Sequence, residues 1–258
     1  MTITLDQIKA LRERTGVSIT ACKKALEEAG GDEDKAVEFL RKKGEAKAAE
    51  RADRSAGEGV IAVVAASPQR AAMVRVGSET DFVAKNDDFV GTVKSFAEKV
   101  LAEGADVDLS NEVSELGLKS GEKVELGDVM IMESSDGVVG SYLHSNNKIG
   151  ALVELTGGDE DLGKDIAMHI AATKPKNTSP TEVPAELVDK EMVIWKDELK
   201  ESGKPEKIWP MILEGKEKKF REENALLTQP FVKNPDVTVG QLLEDKGASV
   251  GDFMCYAI

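Results

Sequence analysis

Aromatic side chains are scarce: seven Phe, two Tyr and two Trp make up 4% of the 258 residues. An aromatic that falls outside a core stripe therefore stands out. Two cysteines, Cys22 and Cys255, are too few for a disulfide framework, and a reducing compartment is the expectation. The two histidines, His144 and His169, stand without an HExxH or a paired CxxC, so no metal site is expected. No apolar run reaches the ~18 residues of a membrane span. The first residues, MTITLDQIKALRERTG, carry charge where a signal peptide needs an apolar stretch, so export is not expected. There is no GxxxxGK[ST] phosphate loop, no GxGxxG and no GxSxG elbow, and Gly57-Glu58-Gly59 is too short to replace them. Positive charge is also short. Against 48 Asp and Glu stand 34 Lys and Arg, for a net charge of −14, which argues against nucleic acid or an anionic membrane as partner. Carboxylates are abundant but unpaired in pattern. No catalytic residue and no cofactor is expected, and weight moves toward a protein that works by binding.

A hydrophobic fraction of 41% beside 32% charged residues is that of an ordinary globular chain. Residues 1–54 hold 12 basic and 11 acidic side chains and the remainder 22 and 37, which marks the beginning as a separate module. It reads as three short helices. Thr4 and Gln7 have capping-box spacing, followed by Leu5, Ile8 and Leu11 on one face. Thr15-Gly16-Val17 breaks the pattern, Ser18 caps a second helix lined by Cys22, Ala25, Leu26 and Ala29, and Gly30-Gly31 ends it. Asp32 starts a third, carrying Ala36, Val37 and Leu40 before Gly44. Cys22 is most simply a small core residue. Residues 45–58, EAKAAERADRSAGE, read as a polar linker with some helical character.

From Gly59 the pattern changes to short apolar runs. Residues 60–64 and 72–77 read as two strands joined at Ser67-Pro68-Gln69-Arg70, and Phe89, Val93, Phe96, Val100 and Leu101 mark a helix after them. A second hairpin-then-helix unit follows: strands over 138–144 and 149–155 turned by Ser145-Asn146-Asn147, then Leu162, Ile166, Ala167, Ile170 and Ala171. After the Pro-punctuated stretch 174–184, Val188, Met192, Trp195 and Leu199 face Ile208, Trp209, Ile212 and Leu213 across Ser202-Gly203-Lys204-Pro205, the pattern of an αα-hairpin with both tryptophans packed inside. The segment ending at residues 253–258 reads as a final strand that contains Cys255. The fold class expected is α+β.

Thr80-Asp81-Phe82-Val83-Ala84-Lys85-Asn86 breaks the local rules by placing an aromatic in a loop. Either Asp81 caps a helix and Phe82 staples back onto it, or Phe82 is an exposed wedge with Asp81 presented to a partner. The residues alone balance the two. His144 at a strand end reads as a surface or hydrogen-bonded residue, and His169, on the apolar side of its helix, as a packed one.

Leu11 to Gly44, LRERTGVSITACKKALEEAGGDEDKAVEFLRKKG, followed by SETDFVAKNDDF at 78–89, strongly resembles the elongation factor Ts family. GSYLHSNNKIGALVEL at 140–155, AMHIAATKP at 167–175, SGKP and LLTQPFVKNPDVTVGQLL agree in type and order, over nearly the whole chain. The resemblance implies a ubiquitin-associated-type three-helix domain at 1–44, a linker at 45–58 and a first core subdomain at 59–135. It implies a second core subdomain at 136–258 with a helical hairpin inserted at 185–222. It implies guanine nucleotide exchange on the GTPase elongation factor Tu. Thr80, Asp81, Phe82 and Val83 would enter near that partner's Mg²⁺ and phosphate loop, with Phe82 as the wedge and His144 as its support. Arg12, Ile19 and Thr20 would touch a surface helix of the GTPase. The hairpin is similar to an element used between copies or with the partner, so a homodimer through it is an expectation of the same kind, as is a cytoplasmic location. Ile19-Thr20 stand where many relatives have two methionines, and Ser145-Asn146-Asn147 where relatives often have glycines. Longer members carry a further C-terminal helix beyond the point where this chain ends. An adaptor without exchange activity, or an enzyme with a pocket around His144 or His169, are the competing readings. The 80–86 loop together with His144 speaks against the first, and both histidines facing protein or open solvent would speak against the second.

Overall fold

The computed structural model describes residues 3–51 and 53–258, with backbone alone for 45–50. Three helices come first: α1 (Leu5–Thr15), α2 (Ile19–Glu28) and α3 (Glu33–Glu50). Thr4 and Gln7 form the expected capping box, Gly16 closes α1 in the left-handed conformation, and the Ser18 side chain accepts the Ala21 N–H at the start of α2. Ile8, Leu11, Val17, Cys22, Ala25, Leu26, Ala36 and Leu40 make the core of this bundle. Cys22 is fully buried in it. Gly44 does not end the third helix. Residues 45–50 are mostly strong helix formers, and α3 runs on through them to Glu50. A Cβ at Gly44 would sit in ordinary contact with the Leu118 side chain at 3.5 Å, so the packing there does not require a glycine and the helix passes through it.

Two three-stranded antiparallel sheets follow. The first has the order β1 (Glu58–Ser67), β2 (Arg70–Ser78), β3 (Val124–Glu133). Between β2 and β3 lie a single helical turn α4 (Asp81–Ala84), then α5 (Asp87–Glu103) and α6 (Ser110–Ser120). The second sheet has the order β4 (Gly137–Leu143), β5 (Ile149–Thr156), β8 (Ser249–Ala257), with α7 (Glu160–Thr173) after β5. The segment between α7 and β8 holds α8 (Ala185–Glu201), α9 (Trp209–Glu223), the short pair β6 (Pro230–Phe231) and β7 (Asn234–Thr238), and α10 (Val239–Asp245). The fold is α+β. Sequence reasoning missed α6 and β3. Gly117 interrupts the helical pattern of α6, and Gly127 with the exposed residues 125–128 hides the strand pattern of β3.

Strand alternation sorts the sheet faces. Val60, Ala62, Ala72, Val74 and Val76 meet Phe89, Val93, Phe96 and Val100 of α5, while Ile61, Ala71 and Met73 turn the other way to meet Val139 and Leu152 of the second sheet. On the far side Ala151, Val153 and Leu155 meet Ile166, Ala167 and Ile170 of α7. The layers therefore run helix, sheet, sheet, helix. With both faces covered, β1, β2 and β5 read in sequence as continuous apolar runs. A Cβ at Gly150 would fall 2.7 Å from an Ile61 methyl, so the sheets meet this closely only over a glycine. The hairpin turns reach across as well. Val139 N–H donates to the Pro68 carbonyl and Ile61 N–H to the Asn147 carbonyl, each at 2.7 Å.

α8 and α9 form the expected αα-hairpin, with Trp195 buried and edge-on to Phe220 at 5.8 Å. Trp209 does not share that interior. It sits at the start of α9 and its indole N–H donates to the Lys204 carbonyl at 2.9 Å, tying the tip of the hairpin. Cys255 lies in β8 as expected, and partial burial pushes its thiol pKa up.

Candidate functional site

The cap of α4 is Thr80, whose hydroxyl oxygen accepts the Val83 N–H at 3.4 Å; Asp81 is the first helical residue and caps nothing. Asn86 then caps α5 by accepting the N–H groups of Asp88 and Phe89. Val83 leans on the α5 core and Ala84 is buried. Phe82 is 84% exposed, more than any other large apolar side chain among the described residues. The six other phenylalanines are buried or half-buried. The staple reading of Phe82 fails, because the single turn of α4 aims this position away from the core that Val83 and Ala84 reach.

Asp81 carries its charge in a defined setting. Lys85, one turn on, reaches its carboxylate at 2.6 Å. That hydrogen bond holds the Asp81 carboxyl below its usual range, and the Lys148 ammonium adds to the effect. The Lys85 ammonium is pushed up chiefly by Asp81, with a further contribution from Glu58. Glu58 and Lys148 themselves form an ion pair. Lys148 belongs to the β4–β5 turn, which the Ile61 N–H grips at Asn147, a residue in the left-handed conformation with φ 56°. The turn that carries His144 is thereby fastened to the β1 edge and lies within the electrostatic field of α4. His144 is exposed, and its Nδ1 lies 3.2 Å from the Tyr142 hydroxyl.

The N-terminal bundle approaches from the other side. A cleft of about 760 Å³ runs from Phe82 and Val83 past Phe89 and Leu116 to Lys119 and Gly16. Gly16 separates the segment holding Arg12 from that holding Ile19 and Thr20, and all three side chains are exposed, Ile19 among them as a bare apolar residue. Sequence reasoning missed the residues that hold α4. Glu122, in the turn between α6 and β3, accepts both the N–H and the hydroxyl of Thr80. Glu79 accepts the Lys123 N–H and an Arg54 guanidinium N–H. No spacing in the sequence announces pairs 42 and 44 residues apart.

His169 is fully buried. Its Nδ1 accepts the Val232 N–H at 3.3 Å, so Nε2 carries the proton and donates to Gln229 Oε1 at 3.0 Å. Burial pushes its pKa down. Among the described residues no group of three or more His, Cys, Asp or Glu could hold a metal, and no helix is long and apolar enough to cross a membrane.

A profile of the family described as Elongation factor TS matches residues 79–258, beginning at the residue before Thr80. The chain belongs to the elongation factor Ts family. "Elongation factor Ts" of Saccharophagus degradans is 44% identical over all of this chain and 92% of its own length. "Elongation factor Ts" of Methylococcus capsulatus is 46% identical and that of Legionella pneumophila 40%, each again over the whole of this chain and 92% of the relative. The N-terminal bundle lies outside the profile match but inside these alignments. Membership of the elongation factor Ts family makes the chain a factor of translation elongation.

Proposed function

We propose that this protein is a guanine nucleotide exchange factor that binds elongation factor Tu in its GDP form and promotes GDP release. The observation that carries the reading is Phe82, a solvent-exposed ring on one capped and hydrogen-bonded helical turn, next to an Asp81 whose carboxyl pKa is lowered. The Thr80–Val83 turn enters the GTPase near its Mg²⁺ and phosphate site. The Asp81 carboxylate perturbs the charge balance there, Phe82 wedges between partner helices, and His144 supports it from the adjoining turn. Arg12, Ile19 and Thr20 hold a surface helix of the same domain from the far end of the cleft.

The mechanism is thermodynamic linkage. A protein that binds the nucleotide-free GTPase more tightly than the GDP form weakens GDP binding by the same factor. Nothing is transferred or cleaved, so the chain acts by protein–protein binding, without a catalytic residue or cofactor, in the cytoplasm and without touching nucleic acid. Residues 1–44 act as a docking domain on the linker 45–58, with core subdomains at 59–135 and 136–258. The hairpin at 185–222, which shows Val193, Ile194 and Met211 to solvent, is the surface through which two copies would pair.

Burying one Phe is worth roughly 1.5–3 kcal/mol, or about one to two powers of ten. The test is release of a fluorescent GDP analogue from elongation factor Tu at substoichiometric amounts of this protein. Wild type should accelerate release with turnover. Phe82→Ala should slow it by roughly 10- to 100-fold with an unchanged unfolding transition. Binding without acceleration by the wild type would favour the adaptor reading instead.

A further inference from the structure

A four-residue helix has no stability of its own, since nucleation costs more than one turn returns. The pose of Phe82 must therefore be imposed by what grips α4 from outside. Two consecutive residues ahead of it, Glu79 and Thr80, are held by two consecutive residues of the α6–β3 turn, Glu122 and Lys123. Glu122 takes both donors of Thr80, its Oε2 accepting the N–H at 3.0 Å and its Oε1 the hydroxyl at 2.6 Å. That fixes the hydroxyl rotor so that its oxygen is free to cap Val83 N–H. The Lys123 N–H meets Glu79 at 2.5 Å, and its ammonium reaches the Arg54 carbonyl at 2.8 Å.

The same turn is held from behind by the segment that follows α3. An Arg51 guanidinium N–H donates to the Glu122 carbonyl at 3.2 Å and to Gly117 O, in the last turns of α6, at 3.3 Å. Arg54 donates to both carboxylate oxygens of Glu79. A continuous run of hydrogen bonds thus leads from the end of the N-terminal module through Glu122 to Thr80 and on to the wedge.

We propose that Glu122 is a positioning residue that sets the pose of Asp81 and Phe82 and couples it to the seating of the segment behind α3. The proposal rests on the exchange reading for its consequence but not for its geometry. A side chain already in its binding pose loses less freedom on docking. Glu122 touches no partner. Its loss leaves the rest of the interface to dock as before and weakens only the step in which α4 inserts. Thr80 is then a link in this run, both its donors being taken up inside the protein.

Two readouts test it. In hydrogen–deuterium exchange on the full chain alone, Glu122→Ala should speed exchange of the 80–85 amides about tenfold, leaving β1 and β2 protected. In the GDP-release assay its maximal acceleration should fall by a similar factor, with the half-saturating concentration moving less than about twofold. Arg51→Ala should loosen the same amides to a smaller extent. If Glu122→Ala does not fold, Glu122→Gln keeps one acceptor oxygen and should loosen the same amides less, whereas Thr80→Val removes both the hydroxyl contact to Glu122 and the Val83 cap and should loosen them more. Where Glu122→Ala and Thr80→Val both fold, their effects should be non-additive because they share one link. Unchanged 80–85 amides in both variants would overturn the clamp. Loosened amides with full acceleration would overturn the positioning role while Phe82→Ala still reports on the wedge. Lack of acceleration by wild type would overturn the exchange reading and leave the amide result standing.

Discussion

The two sheet-and-helix units share a plan and differ at the same joint. In both, an antiparallel hairpin leads into a helix that covers the sheet. In the second unit β5 passes to α7 through Gly157 and Gly158, both with positive φ, and Asp159 caps the helix at once. In the first, β2 passes to α5 through eight residues, 79–86, with a helical turn inside them and two capping side chains, Thr80 and Asn86. The tight joint exposes no aromatic ring. The longer one presents Phe82 and is braced by Glu122 and Lys123 from a distant turn. The core plan is thus compatible with either joint, and what reaches outward is set by the connection.

The units also differ in how helix meets sheet. α5 stands on Phe89, Val93 and Phe96, while α7 touches β4 backbone to backbone at Gly140 and Gly163. A Cβ at Gly140 would lie 2.1 Å from the Gly163 carbonyl oxygen, whereas one at Gly163 would lie 3.0 Å from Gly140 Cα. Gly140→Ala should therefore destabilise the second unit by about 3 kcal/mol or more. Gly163→Ala, helped by better helix propensity, should cost about 1 kcal/mol or less. Denaturant midpoints for the pair give the answer. Equal midpoints would erase the difference between the two helix–sheet contacts.

The next contrast is in titration, since both histidines belong to the second unit. Burial lowers the folded-state pKa of His169 below its ordinary value of 6.5. The unfolded chain then binds a proton that the folded chain resists. Stability should fall as pH drops below about 6.5 and level off once the lowered folded pKa is passed. The slope from one such group is at most about 1.4 kcal/mol per pH unit. Unfolding measured from pH 7.5 to 5 should show this slope in wild type and its loss in His169→Gln, whatever the offset between the two. Parallel curves would mean that His169 is protonated in the folded state as well.

How much of this was legible in the sequence follows from the range of the interactions. Thr4 with Gln7, Ser18, the Asn147 turn and the stripes of α5 and α7 are local patterns, and they fold as they read. Phe82 stood out because the chain has so few aromatics and this one fell in a loop. Gly44 misled because the strong helix formers after it carry α3 past a glycine that in sequence looks like a stop. α6 and β3 went unread because each carries an internal glycine and β3 is half-exposed. The clamp at Glu79, Thr80, Glu122, Arg51 and Arg54 was invisible for a different reason: its pairs lie 25 to 71 residues apart, and its four charged members are unremarkable surface charges in sequence. Composition could single out Phe82, but only three-dimensional closure reveals what holds its turn in place.

The smallest effects separate the joints most cleanly. Asn86 and Asp159 do the same local work, each satisfying N–H groups at the start of the helix that covers its sheet. Replacing either by Ala should cost about 1 kcal/mol. The Asp159 loss should shrink in salt, because part of its contribution is the attraction of a carboxylate to the helix N-terminus. Neutral Asn86 has no such part, so its loss should be insensitive to salt. Their functional consequences should diverge as well. Asn86 directly follows Lys85, which ends α4, so Asn86→Ala frees the C-terminal side of the turn that carries Phe82 and should slow GDP release severalfold at most. Asp159 caps a helix on the other unit, and Asp159→Ala should lower stability while leaving release at the wild-type rate. If the two variants slowed release equally, global stability and not the mounting of α4 would be what exchange responds to.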